Sequence, residues 1–251
     1  MTLVEAVGIF LAGAAAGTVN AIVGSGTLIT FPTLLAFGYP PVVANVSNTV
    51  GLVPGSLSGV IGYRHELEGQ RVRLVRLGFA SLLGGIVGAL LLLELPASAF
   101  GAVVPTLIGL GCVLVVLQPQ IGRWVRPSEN APPHGSLVVW GLVLATGIYG
   151  GYFGAAQGVL LIAILGLGLS EPMQRINAAK NMLALLVNAV AAVIFIGVSD
   201  VSWRAAGLIA VGSVLGGQLG AHVGRRLPGW IFRAVVALVG IVAIVKLTVL
   251  R

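Results

Sequence analysis

Charge is what this sequence has least of. Only 8% of its 251 residues are charged, against roughly 25% in an ordinary soluble domain, so a soluble globular fold is excluded at the outset. The seven acids, Glu5, Glu66, Glu68, Glu94, Glu129, Glu171 and Asp200, all fall at the ends of apolar blocks or between them. No carboxylate pair is therefore available inside a block for acid–base chemistry or for charging a cation site. A single cysteine, Cys112, excludes a disulfide framework and a cysteine metal cluster. His65, His134 and His222 are scattered without ligand spacing, and "GSG" at 24–26 lacks the third glycine of a dinucleotide fingerprint. These absences leave no expected metal, no cofactor and no enzyme.

What is present is apolar. Hydrophobic residues make up 57% of the chain and the mean hydropathy is +1.06. Runs such as "LGFASLLGGIVGALLLLEL" (77–95) and "RAVVALVGIVAIVKLTVL" (233–250) have the roughly 20 residues that a helix needs to cross a hydrocarbon layer. The expected fold is an all-α polytopic membrane protein. Its first segment, "MTLVEAVGIFLAGAAAG", has no basic leader and reads as a span, not a cleaved signal. The net charge of +7 comes from arginines in short loops, where it sets membrane orientation and does not imply nucleic acid.

Eight hydrophobic blocks follow from hydropathy and breakers: 4–37, 41–63, 74–95, 97–117, 135–169, 172–197, 202–224 and 229–250. The first and fifth are too long for one crossing. Glycine clusters, "NAIVGSG" (20–26) and "GGYFGAAQG" (150–158), interrupt them, and each leaves a piece of about a dozen residues, the length of a re-entrant or half helix. The two halves can be laid on each other through these breaks, with Asn48 opposite Asn181 and Ser47 opposite Lys180. The expected organisation is a first repeat over 1–117, a linker over 118–134 and a second repeat over 135–251.

Orientation follows from the basic loops. Arg64, Arg71, Arg73 and Arg76 lie in one, Arg123 and Arg126 in the next, and Arg225, Arg226 and Arg233 in a third. Placing all three in the cytoplasm requires each broken block to enter and leave on one side, and makes the repeats inverted, with both termini outside. Inverted repeats with broken segments at matching positions point to a transporter that alternates access around a midplane site. Trp124, Trp140, Trp203 and Trp230 near block ends suit an interfacial belt. The ridge Gly212, Gly216, Gly220 and Gly224 suits close helix packing, within the chain or in a homodimer.

The sixth block carries a lysine. Lys180 lies about 12 Å from the block's start at Pro172, beside a stripe of Asn177, Asn181, Ala184 and Asn188 at helical spacing. With no carboxylate nearby, an anionic substrate is the group that would complement it. A lysine reaching the interface beside Arg175 is the plainer alternative. Half-helices starting at Thr27 or Val159 would add free N–H groups and a positive dipole end, and oxyanion-binding side chains stand near: Asn20, Ser25 and Thr27 at one break, Tyr152 and Gln157 at the other. The candidate substrate-binding set is therefore Asn20, Ser25, Thr27, Ser47, Asn48, Tyr152, Gln157, Asn177, Lys180 and Asn181.

The stretch "AGAAAGTVNAIVGSGTLITFPTLLAFGYPPVVANVSNTVGLVPGSLSGVIGYR" resembles the opening repeat of the TauE/SafE family, the sulfite exporter and toluene-sulfonate uptake permease group. "GIYGGYFGAAQGVLLIAILGLGLSEPMQRINAAKNMLALLVNAVAAVIF" resembles its second repeat. The resemblance implies a multi-pass plasma-membrane transporter of small anions, sulfite, sulfonates or related sulfur compounds, with the bilayer and the anion as partners. A carrier of a neutral solute and a non-transporting membrane scaffold stand as alternatives. The first would be coupled to a cation or proton through a membrane carboxylate that the sequence lacks, and the second needs no polar stripe.

Overall fold

The computed structural model describes residues 1–124, 132, 134–223, 234 and 236–242. It is helical throughout: α1 (Leu3–Ile22), α2 (Thr27–Ala36), α3 (Pro41–Gly62), a short 3-10 turn (Arg64–Leu67), α4 (Arg71–Glu94), α5 (Ala97–Trp124), α6 (Leu137–Tyr152), α7 (Gln157–Gly168), α8 (Met173–Val198) and α9 (Trp203–Val223). Arg126, Glu129, Gly224, Arg225, Arg226, Trp230, Arg233 and most of the last block lie outside the described residues, as do the side chains of Arg123 and Trp124. Five described helices are long and apolar enough to cross a membrane, namely α1, α4, α8 and most of α5 and α9. Their outward faces carry Leu3, Val72, Phe79, Val193 and Val198, each more than half exposed. Asn45, Ser47, Asn48 and Lys180 are inside. Lipid solvates such a surface, whereas water would drive it to aggregate.

Local signals explain the boundaries. Thr2 caps α1 and exchanges hydrogen bonds with Glu5 in a reciprocal capping box, and Ser136 caps α6 through the Val139 N–H at 3.2 Å. Pro40 and Pro172 stand immediately before α3 and α8, as N-caps in an extended conformation; α8 therefore begins one residue after Pro172, and Lys180 lies about 10 Å into it. The expected breaks are real. Both first helices stop on a glycine in the left-handed region, Gly24 at φ +83° and Gly154 at φ +76°, a conformation that costs other L-residues about 1–2 kcal/mol. The second half-helix starts at Gln157, two residues earlier than Val159, because left-handed Ala156 completes the turn there.

Small residues set how the helices lie. Gly13 and Gly17 of α1 meet the backbone of Ile209 and Ser213 in α9, and Gly51 and Gly55 of α3 meet the same two residues. Gly84 and Gly88 of α4 meet Leu144 and Ile148 in α6. In each pair the numbers rise together, so α1, α3 and α9 run one way, and α4 and α6 run together. Because α1 and α3 are parallel, α2 must return between them. Gly212, Gly216 and Gly220 of the ridge are covered by α1, which places that close packing within the chain.

Candidate functional site

The two breaks meet inside the bundle. The Gly158 N–H donates to the Gly24 carbonyl at 3.0 Å, and a Cβ on either glycine would collide with the backbone of the other. The starts of α2 and α7 are thereby brought together, each with a positive dipole end, although the first-turn N–H groups of α7 are already engaged with the Gly154, Gly24 and Ala156 carbonyls. Two buried side chains at these starts have no partner among the described residues: Ser25 Oγ and Gln157 Nε2. Gln157 lies against Gly150, where no side chain interferes. Thr27 is buried beside them, and its hydroxyl accepts from Asn48 Nδ2 at 3.3 Å. Asn48 Oδ1 in turn accepts from Thr30. Thr30 is absent from the sequence-derived set; its place one turn beyond Thr27 was the available signal.

Lys180 is fully buried and does not reach the interface. Its Nζ donates to the carbonyls of Asn20 at 3.1 Å and Ala21 at 3.4 Å. Asn177 and Asn181 add their Nδ2 groups to the Ala21 carbonyl, each at 3.3 Å. The ammonium thus caps the C-terminal end of a helix that stops inside the protein, where the dipole is negative. An ammonium has three donors, and two are engaged here. The stem of Lys180 passes Gly158, where a Cβ would sit 3.0 Å from its Cδ, so the lysine borders the meeting point of the breaks.

Three of the expected residues are turned elsewhere. Ser47 Oγ accepts from the Ser202 N–H at 2.9 Å and fixes the start of α9. Tyr152 puts its ring against Phe100 at 5.6 Å, next to the Phe31 and Phe153 pair, and contributes its backbone carbonyl to Asn45 at 3.0 Å. The side-chain amide of Asn20 donates to Ser56 at 3.3 Å. The register between the halves also shifts by one. Counted from the proline caps, Asn45 matches Asn177 and Asn48 matches Lys180, and both Asn45 and Asn177 donate to a carbonyl at the end of the other half's first helix.

A second polar cluster sits at the end of the bundle where α4 begins. Arg73 Nη1 donates to Glu171 Oε1 at 3.0 Å and to Gln70 Oε1 at 2.9 Å, and Arg175 Nε donates to Glu171 Oε2 at 2.6 Å. Partial burial pushes the Glu171 carboxyl up, but the two guanidinium groups outweigh it and hold the carboxyl below its usual range. Charge counting alone read Arg73 as an orientation signal and Glu171 as an acid at a block end.

An apolar exterior around two hairpins whose broken ends meet, with polar groups aimed at the junction, defines a polytopic membrane transporter of the broken-helix kind. The chain belongs to the TauE family, described as sulfite exporter TauE/SafE, whose model matches residues 9–247. It is 28% identical over 222 residues to a probable membrane transporter protein of Haemophilus influenzae, covering 86% of this chain and 83% of that protein. It is 26% identical over 243 residues to the probable membrane transporter protein ORF9 of Sinorhizobium, covering 95% and 90%. It is also 26% identical over 250 residues to the probable membrane transporter protein YfcA of Escherichia coli K12, covering 95% and 88%. No solved structure matches the chain.

Proposed function

We propose that this protein is a secondary transporter of a small anion, a sulfur oxyanion, bound where α2 and α7 begin and carried by alternating access across the plasma membrane. The observation that carries the reading is the pair of unpartnered buried groups at those starts, Ser25 Oγ and Gln157 Nε2. Both are able to donate, and both stand at helix N-termini, the polarity that favours an anion. Lys180 supplies positive charge at the border of the same junction, with one ammonium donor still free after Asn20 and Ala21. Thr27, Asn48, Asn177 and Asn181 line the surroundings and shape selectivity. The family's description as sulfite exporter supports sulfite or a related sulfur compound as the class.

The parallel courses of α1 with α9 and of α4 with α6 support inverted repeats, since the equivalents of α1 and α4 in the second half are α6 and α9. Rocking of one repeat against the other would expose the junction first to one side and then to the other.

The test is thermal stability of the detergent-purified protein against sulfite, thiosulfate, sulfonates, carboxylates and neutral solutes, in the wild type and in Ser25→Ala. A ligand that binds the native state raises the melting temperature by mass action. Ser25 Oγ has no partner to lose, so Ser25→Ala keeps its basal stability while its response to the anion falls. A response to a neutral solute alone, or an anion response unchanged in Ser25→Ala, refutes the site.

A further inference from the structure

The two helices that stop inside the bundle end in the same way but are finished differently. In α1 the Val19 carbonyl accepts both the Val23 and Gly24 N–H groups, and in α6 the Tyr149 carbonyl accepts both the Phe153 and Gly154 N–H groups. The next two carbonyls are then left over at each end: Asn20 and Ala21 in α1, Gly150 and Gly151 in α6. In α1 the ammonium of Lys180 covers both, with two asparagine amides assisting. In α6 neither Gly150 nor Gly151, both buried, receives a hydrogen bond from a described residue. Asn48 stands where the lysine would be, and it is engaged with Thr27 and Thr30 instead.

A further oxygen belongs to the same place. Asn45 is 1% exposed. Its Nδ2 is fixed on the Tyr152 carbonyl at 3.0 Å, which holds the amide at the end of α6, and its Oδ1 has no partner among the described residues. The end of α6 therefore gathers two carbonyls, an amide oxygen and a negative dipole end, with the side-chain amide of Gln157 lying against Gly150.

We propose that the C-terminal end of α6 is a monovalent-cation site, in which an ion held by Asn45 Oδ1 and the Gly150 and Gly151 carbonyls does what the ammonium of Lys180 does at α1. Neutral amide and carbonyl oxygens at the end of a broken helix suit an alkali cation and need no carboxylate. One end carries a tethered cation and the other takes an exchangeable one, so the ion is a candidate coupling ion for transport. The site stands whether or not the transported solute is an anion.

The experiment is a sodium titration of the purified full-length protein, followed by its melting temperature, with choline replacing sodium so that chloride and ionic strength stay constant and no transported solute is added. The wild type is expected to gain a saturable rise in melting temperature with sodium. Asn45→Ala should lose that rise, and Asn45→Asp should reach it at several-fold lower sodium. Asn48→Lys, which supplies a tethered ammonium at α6, should be insensitive to sodium. A wild type with equal melting temperatures in sodium and choline overturns the proposal, as does an undiminished response in Asn45→Ala. Should Asn45→Ala fail to fold, an unchanged half-saturating concentration in Asn45→Asp is decisive against it. The anion reading is judged separately, by the oxyanion panel.

Discussion

A lysine within a span is tolerated only when its surroundings repay the burial, and here the repayment comes from backbone. Lys180 donates to two carbonyls that the interrupted α1 would otherwise leave bare. Lys180→Met keeps the length of the stem but removes the donors. It should lower stability by about 1–3 kcal/mol in the absence of any solute, the cost of stranding buried acceptors. Melting curves of the two proteins in one detergent decide the matter, and equal stability would mean that the ammonium is not the cap. Glu171 gives a second residue-scale prediction. Its carboxyl is held below the ordinary range in the native state, so its contribution is fully present above the unfolded value and is lost as pH falls through the lowered one. Glu171→Gln should therefore destabilise by about 2 kcal/mol near neutral pH, and the gap from wild type should close on acidification. A gap that stayed constant with pH would show that Arg73 and Arg175 do not depend on the charge.

At the scale of elements, the hairpin tips are constrained both by backbone conformation and by contact with each other. Gly24→Ala places a side chain at φ +83° and against Gly158. It should cost about 1–2 kcal/mol for the backbone and about 1–3 kcal/mol for the collision. Gly38→Ala is the control, because Gly38 has a similar φ of +85° but open space around it, so only the first cost applies. Comparable melting temperatures for the two variants would mean that the tips do not press on each other. These breaks were legible in the sequence because length and glycine both speak there: an apolar run too long for one crossing must turn, and glycine marks the place. The exact register was less legible. Matching residue letters put Ser47 opposite Lys180, whereas the helix starts put Asn48 there. The partners of Lys180 were hidden for a physical reason, since any residue can offer a carbonyl and only the end of a helix leaves one free. The pairing of Arg73 with Glu171 was hidden by their separation of 98 positions along the chain.

At the scale of the whole molecule, the courses of the helices fix which loops share an end. The parallel run of α3 with α9, joined at Gly62 and Ala221, puts the C-terminal ends of both at one end of the bundle. The Arg73–Glu171–Arg175 cluster ties the start of α4 to the α7–α8 loop at that same end. The turn between α2 and α3, at Gly38, and the turn between α8 and α9, at Ser199, belong to the opposite end. Arg64, Arg71 and Arg76 gather at the first end, which the positive-inside rule assigns to the cytoplasm. A cysteine-free background, Cys112→Ala, allows this to be read directly with a membrane-impermeant thiol reagent on whole cells. Cysteines introduced at Gly38 and at Ser199 should be labelled from outside, while those at Gly69 and at Ser170 should be labelled only after the membrane is opened. Each pair joins a loop of the first half to a loop of the second half, so the result tests the inversion and not the orientation alone. If Gly38 and Ser199 were labelled from different sides, at least one hairpin would cross the membrane fully, and neither the shared junction of the breaks nor a rocking exchange around it would survive.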